Sequence, residues 1–169
     1  MSLEITNSLK GALGELYYKE GCDQKGWAYL SVENINNGSE DGVFTFKKGF
    51  HRIRVRIPKD LHSELELVSH PTNESQENPS FVFDFLACKV GTKEHYDKII
   101  ENPQLCWAEI KTGKGDFSQN QIDILSLIKL PLAIFHIEDV LVPPQEIDIA
   151  WDIKSGKEWL EEFEDSSES

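Results

Sequence analysis

The chain has 169 residues, of which 39% are hydrophobic and 28% are charged, so it can bury a core and wholesale disorder is excluded. No apolar run reaches the ~18 residues of a membrane span, and the N-terminal residues lack the basic and apolar stretches of a secretory signal. The net charge is −13, which argues against a protein that coats nucleic acid without specificity. Most of this excess lies in residues 137–169, with eleven acids and two bases. A local basic surface can therefore exist elsewhere.

The cysteines indicate the compartment. Cys22, Cys88 and Cys106 are an odd and widely spaced set, which is typical of reduced thiols in a cytoplasmic protein rather than of a disulfide framework or a zinc site. We expect one domain over residues 1–163, followed by a frayed acidic tail at 164–169.

The first predicted elements are a helix and a β-hairpin. The helix spans residues 6–22, where apolar residues recur at helical spacing: Leu9, Ala12, Leu13, Leu16 and Tyr17. Two β-rich runs in residues 42–57 flank Lys47-Lys48-Gly49 and predict the hairpin. A short strand is expected at 65–68 and a polar loop at 69–79. We interpret residues 23–80 as a β-rich insertion.

The second half of the chain alternates strands with helices. Residues 81–90 are apolar on both faces, which is typical of a strand inside a covered sheet. The predicted order is strand 81–90, helix 92–101, strand 105–111, helix 118–129, strand 131–137, strand 146–153 and a capped helix 155–163. This alternation predicts an α/β fold, a mixed sheet flanked by helices, with the hairpin inserted before it.

Asp84 is a single acid inside the apolar run 81–90. An unpartnered buried carboxylate costs several kcal/mol, a large part of the stability of a domain. Asp84 must therefore form an ion pair, bind a metal ion or lie at the strand end beside solvent. An isolated structural ion pair is one explanation.

Glu109 and Lys111 lie two residues apart in the strand 105–111 and project from the same face. An ordinary solvated pair explains them when they are considered alone. If Asp84 lies on the neighbouring strand, two carboxylates and a backbone carbonyl form a hard oxygen site that suits Mg²⁺ or Mn²⁺. A lysine beside such a site can hold an attacking water and offset charge in phosphoryl chemistry.

An acid in one strand followed by Glu-X-Lys in the next resembles the signature of the PD-(D/E)XK nucleases, which include restriction endonucleases and archaeal Holliday junction resolvases. The matching residues are Phe83-Asp84 and Glu109-Ile110-Lys111, with Phe83 in place of the usual proline. Glu15 fits the helical glutamate that precedes the motif in many members, and Ser118 with Gln121 fits the Ser-X-X-Gln helix start of resolvase-like members. The resemblance covers residues 6–22 and 81–137, a little under half the chain.

The resemblance implies a restriction-endonuclease-like fold and a metal-dependent endonuclease, with DNA as the first expected substrate. Asp84, Glu109 and the Ile110 carbonyl would hold Mg²⁺ or Mn²⁺, and Lys111 would position the attacking water. Glu15 and Gln121 would support the site, although a solvated surface glutamate explains Glu15 and a capping box explains Gln121 equally well. Because resolvases are dimers, a homodimer is plausible.

The chain has only three arginines, and they share one strand. Arg52, Arg54 and Arg56 alternate with apolar residues, so their side chains project from one face, ~6.6 Å apart. Together with Lys47 and Lys48 they form a candidate nucleic-acid surface, because guanidinium groups match phosphate geometry. Pairing with the protein's own acids is the alternative.

Two further hypotheses stay open at this point. The chain could be an inactive nuclease-fold protein that binds nucleic acid or a protein partner. It could also be an unrelated acidic α/β protein in which Glu-X-Lys is accidental. The distance between the Asp84 and Glu109 carboxylates discriminates between an accidental Glu-X-Lys and a metal site.

Overall fold

The computed structural model describes residues 7–37, 40–72, 80–90, 98–112, 117–137 and 153–167. Its elements, in chain order, are α1 (Asn7–Lys25), β1 (Trp27–Ser31), β2 (Val43–Lys48), β3 (His51–Arg56), α2 (His62–Val68), β4 (Phe85–Lys89), β5 (Ile99–Ile100), β6 (Leu105–Thr112), α3 (Gln119–Leu125), β7 (Leu132–Ile137), β8 (Ile153–Lys154) and α4 (Gly156–Ser167). These ranges contain no helix that is both long and apolar enough to cross a membrane.

The strands form one mixed sheet in the order β5-β3-β2-β1-β4-β6-β7-β8. β6 and β7 are parallel, as are β3 and β5, and the remaining neighbours are antiparallel. The α/β architecture and the hairpin at β2–β3 are confirmed. β1 was not predicted, and it joins the hairpin to β4, so β1, β2 and β3 extend the same sheet.

Helices cover both faces of the sheet. On one face, Tyr18 and Cys22 of α1 pack with the small and aromatic side chains of β4 and β6, including Phe85 and Ala108. On the other face, α2, α3 and α4 pack over a larger core centred on Trp107. Cys22, Cys88 and Cys106 are all buried free thiols.

Two contacts fix the position of α4 relative to β7 and α3. The Trp159 indole donates to the Leu132 carbonyl at 2.8 Å. A Cβ at Gly156 would lie 2.0 Å from the Leu125 carbonyl oxygen, so only glycine permits this close approach of α3 and α4.

Five sequence predictions are corrected within the described residues. Residues 65–68 belong to helix α2 rather than to a strand, and 81–84 precede β4 rather than forming its first half. The helix expected at 92–101 cannot reach its end, because Ile99–Ile100 is a strand; residues 91–97 lie outside the described ranges. Helix α3 ends at Leu125, whereas α4 continues to Ser167 through most of the expected acidic tail.

The apolar face predicted for α1 is correct only in part. Leu13 and Tyr17 pack against the buried cluster that contains Tyr18 and Cys22, whereas Leu9, Ala12 and Leu16 are exposed. Of the strand expected at 146–153, residues 146–152 lie outside the described ranges, and Ile153 begins β8.

Candidate active site at the ends of β4 and β6

Asp84 and Glu109 lie opposite each other where β4 begins. The antiparallel register places Phe85 opposite Ala108. Asp84, which immediately precedes β4, therefore lies opposite Glu109 of β6. The Asp84 amide donates to the Ala108 carbonyl at 3.1 Å, and the Ile110 amide donates to Asp84 Oδ2 at 2.8 Å. Asp84 is thus a half-buried residue at the strand end, which answers how an acid is tolerated in this apolar run.

Glu109 is buried, with 8% of its surface exposed. Its pKa is raised well above the ordinary value, first by burial, then by the charge of Asp84 and by a hydrogen bond between the two carboxyl groups. Lys111 and Gln121 oppose this shift. The two carboxyl groups are therefore close enough to share a proton, and a cation between them would remove their repulsion.

Gln121 joins the acid to the lysine. Its Nε2 donates to Glu109 Oε2 at 2.6 Å and to the Val82 carbonyl at 2.8 Å. Its Oε1 accepts from Lys111 Nζ at 2.8 Å and from the Ser118 amide at 3.1 Å. Every hydrogen-bonding position of this buried amide is filled, which fixes the side chains of Glu109 and Lys111 relative to each other.

The same side chain caps α3. Gln121 N donates to Ser118 Oγ at 3.3 Å, and together with the bond from Ser118 N this completes a capping box. The sequence offered helix capping and a role in the site as alternative explanations of Gln121, and the structure contains the contacts of both. Lys111 also lies over the Phe117 ring, 5.8 Å from its centroid.

Glu15 approaches the carboxylate pair from α1, on the opposite face of the sheet. It is exposed, and its pKa is raised by partial burial and then by the charge of Asp84, while Lys19 lowers it. Among the residues that the structure describes, no three His, Cys, Asp or Glu side chains are grouped closely enough to hold a metal ion. Glu15 therefore lies near Asp84 without completing a three-carboxylate ligand set.

A cavity of about 1050 Å³ opens beside Asp84 on the α1 side. Its charged lining consists of three acids and three bases: Glu15, Glu33, Asp84, Lys19, Lys47 and Arg52. Lys19 was not predicted as a site residue. It lies one helical turn after Glu15 and shares its helix face, so this spacing was the available signal.

The arginines of β3 alternate with buried Ile53 and Val55, as predicted, but they do not act as one group. Arg52 and Arg54 are exposed, and Arg52 lines the cavity. Arg56 instead pairs with Glu101 at 2.9 Å and donates to the Asp41 carbonyl at 2.9 Å. Arg56 therefore pairs with an acid of the protein itself, which is the alternative explanation given above.

The two lysines of the hairpin separate. Lys47 lies opposite Arg52 and lines the same cavity. Lys48 is next along the strand and opposite His51, so its side chain leaves from the other face of the sheet. The basic surface around the cavity therefore contains Lys19, Lys47, Arg52 and Arg54 rather than the whole predicted set.

A second carboxylate was missed by sequence reasoning. Glu64 of α2 is buried and accepts hydrogen bonds from the Trp107 indole at 2.9 Å, from the Leu130 amide at 3.1 Å and from the Lys129 amide. These contacts fasten α2 to β6 and to the segment before β7. Three hydrogen bonds to neighbouring elements account for the burial of Glu64 and indicate a structural role.

Comparisons with known proteins give no assignment: no family model matches the chain, and neither a curated protein nor a solved structure does.

Proposed function

We propose that this protein is a metal-dependent nuclease that hydrolyses phosphodiester bonds of nucleic acid, with DNA as the first candidate substrate. The observation that carries the proposal is the position of Asp84 opposite Glu109 on neighbouring strands, with Lys111 held beside Glu109 by Gln121. If the Glu-X-Lys pattern were accidental, nothing would require Glu109 and Lys111 to lie beside an acid from another strand.

The arrangement of elements also supports a restriction-endonuclease-like fold. The core order of that fold is helix, strand, strand, helix, strand. α1, β4, β6, α3 and β7 occur in this order, with β1 to β3 and α2 between α1 and β4 and β5 between β4 and β6, and all these strands share one sheet. β2 and β3 extend the sheet beyond this core on the side of the cavity.

The donor set fits a hard divalent cation. Asp84 and Glu109 supply carboxylate oxygens, and Mg²⁺ is commonly held by one or two carboxylates together with water. The amide of Ile110 points toward Asp84, and the carbonyl of a strand residue points to the same side as its amide, so the Ile110 carbonyl is directed to this edge. When bound, the cation would act as a Lewis acid at the phosphoryl group.

The chain's own side chains supply the remaining functions. Lys111 places an ammonium group next to Glu109, where it can orient a water for attack and offset negative charge on the phosphoryl oxygens. Gln121 prevents this lysine from turning away. Lys47, Arg52 and Lys19 neutralise the phosphates of a strand that lies in the cavity.

Cleavage assays with matched variants test the proposal. Purified protein is incubated with Mg²⁺ or Mn²⁺ and linear, flapped and four-way DNA, with an RNA control. We expect Asp84→Asn and Glu109→Gln to abolish cleavage, and Lys111→Ala to slow it at least ~100-fold while metal binding is retained, because lysine is not a ligand.

Two exposed residues serve as controls, with Glu66→Gln for the acids and Lys59→Ala for the lysine. Both controls should cleave like the parent. Absence of cleavage of every substrate with both metals, or parental cleavage by Glu109→Gln, would contradict the proposal. Binding of nucleic acid without cleavage would instead favour the inactive binding protein.

A further inference from the structure

The proposed hydrolysis leaves the aromatic lining of the cavity unexplained. Phe44, Phe83 and Phe85 line it but are buried in the core. Tyr29 and Phe81 line it as half-buried side chains, so part of each remains accessible. An accessible aromatic residue in a charged cavity is a surface on which a planar ring can stack.

Cations surround the Tyr29 ring. Tyr29 lies opposite Lys47 in the sheet, and Lys47 lies opposite Arg52, so the three residues form a row across β1, β2 and β3. Adjacent strands are ~4.8 Å apart, which makes the row about 10 Å wide. From α1, Lys19 Nζ lies 5.7 Å from the Tyr29 ring centroid. One accessible aromatic ring therefore lies in a row with two cationic side chains and has a third beside it.

This row lies close to Asp84, one member of the carboxylate pair. The Val32 amide donates to the Asp84 carbonyl at 3.0 Å. Tyr29 is three residues earlier on β1, which corresponds to ~10 Å along the strand. A nucleic-acid strand bound along the row can therefore extend to Asp84 over a short distance.

We propose that the cavity binds an unpaired nucleotide of the substrate strand, with the base against Tyr29 and Phe81 and the phosphates on Lys19, Lys47 and Arg52. The preferred substrate class is then single-stranded or locally unpaired nucleic acid rather than continuous duplex. This inference rests on the proposed function and specifies its substrate.

The reason is access to the base. In a duplex each base is stacked on its neighbours, and removing it from the stack costs a few kcal/mol, whereas an unpaired base offers its face freely. A concave cavity of about 1050 Å³ is similar in volume to sites that enclose small molecules, and here Asp84 is part of its lining.

Binding measurements in EDTA test the inference apart from catalysis. Fluorescence anisotropy compares a labelled oligothymidylate, an oligouridylate and a blunt hairpin duplex of equal length. We expect the parent to bind single strands at least ~10-fold more tightly than the duplex. Tyr29→Leu and Phe81→Leu should each weaken single-strand binding by about 5- to 150-fold, the value of one stacked base, and leave duplex binding within about two-fold.

Two further variants exclude a structural explanation. Tyr29→Phe retains the ring and should bind like the parent. Phe163→Leu removes a half-buried ring from the acidic helix α4, outside the cavity, and should have no effect. Thermal melts check folding, and Phe81→Leu decides the result if Tyr29→Leu does not fold.

The outcomes separate this inference from the proposed nuclease. Equal or tighter binding of the duplex, or parental single-strand affinity in both leucine variants, would overturn the inference even if duplex DNA is cleaved. Ring-dependent single-strand binding supports it even if no substrate is cleaved, a result that would count against the nuclease alone. Failure to bind any nucleic acid overturns the inference.

Discussion

Replacing Glu109 by glutamine should stabilise the protein in the absence of metal. The amide oxygen still accepts the hydrogen bond from Gln121, and the amide nitrogen can donate to Asp84 without sharing a proton. A buried group that lacks compensation costs about 1–3 kcal/mol. We therefore expect the free energy of unfolding at pH 7 to rise by about 1–3 kcal/mol, which corresponds to roughly 2–10 °C in Tm for a chain of this size.

The pH dependence provides an independent check of the cause. The pKa of Glu109 is raised in the folded state, so above its ordinary value near 4.5 the folded protein holds more protons than the unfolded chain. The stabilising contribution of Glu109 is complete at pH values below its pKa in the unfolded chain, and it is lost as the pH rises through its pKa in the folded protein. Glu109→Gln should therefore reduce the decline in stability between about pH 4.5 and neutral pH. Part of the decline remains, because burial and Asp84 also raise the pKa of Glu15.

Urea denaturation of parent and variant at several pH values, with EDTA present, measures both effects. Glu66→Gln is the control for loss of one exposed acid. Added Mg²⁺ should raise the stability of the parent by RT ln(1 + [Mg²⁺]/Kd) and leave Glu109→Gln unchanged. A variant less stable than the parent at pH 7, or one with the parental pH dependence, would show that the carboxyl pair is not under electrostatic strain.

The other predictions concern binding and stability. Arg52→Gln and Arg54→Gln should each weaken nucleic-acid binding and reduce the slope of log K against log salt by about 0.9 on duplex DNA. Arg56→Gln removes an arginine that is paired with Glu101, so it should change neither the affinity nor the slope. Equal slopes in all three variants would refute this distinction. Glu64→Ala should lower the free energy of unfolding by about 2–4 kcal/mol, since one buried indole N–H and two partly buried amides lose their acceptor. A loss below about 1 kcal/mol in urea titration would contradict that structural role. Chelation of divalent ions should stop cleavage, and Mg²⁺ or Mn²⁺ should restore it, which gel assays measure directly.

Local patterns predicted the parts of the site that depend on strand geometry. The alternation of Glu109 and Lys111 with their neighbours places both side chains where Gln121 contacts them. Likewise, the period of two in residues 51–57 correctly separated the arginines from the buried Ile53 and Val55. These inferences succeeded because side-chain direction along a strand is set by the backbone and not by distant residues.

The failures arose where a distant partner decides the outcome. Glu64 to Leu67 alternate acid and leucine, a period typical of a strand, yet they form a helix that exposes Leu67 and buries Glu64. The donors that permit this burial come from Trp107 and from residues 129 and 130, more than forty positions away. In α1 the sheet surface likewise contacts Tyr18 and Cys22, whereas Leu9 and Leu16 of the predicted apolar face are exposed.

Gln121 shows why helix capping and a site role need not be alternatives. One atom, Oε1, accepts from both the Ser118 amide and Lys111 Nζ, while Nε2 donates to Glu109. The capping contact holds the amide in the orientation that the acid and the lysine require, so the start of α3 and the geometry of the carboxylate pair are set by the same side chain. A sequence pattern reveals the cap because Ser118 and Gln121 are three residues apart, but it cannot reveal the bridge, because β6 reaches α3 only through the fold. The capping box therefore explains how the site is positioned, and its presence gives no reason to discount Gln121 as part of it.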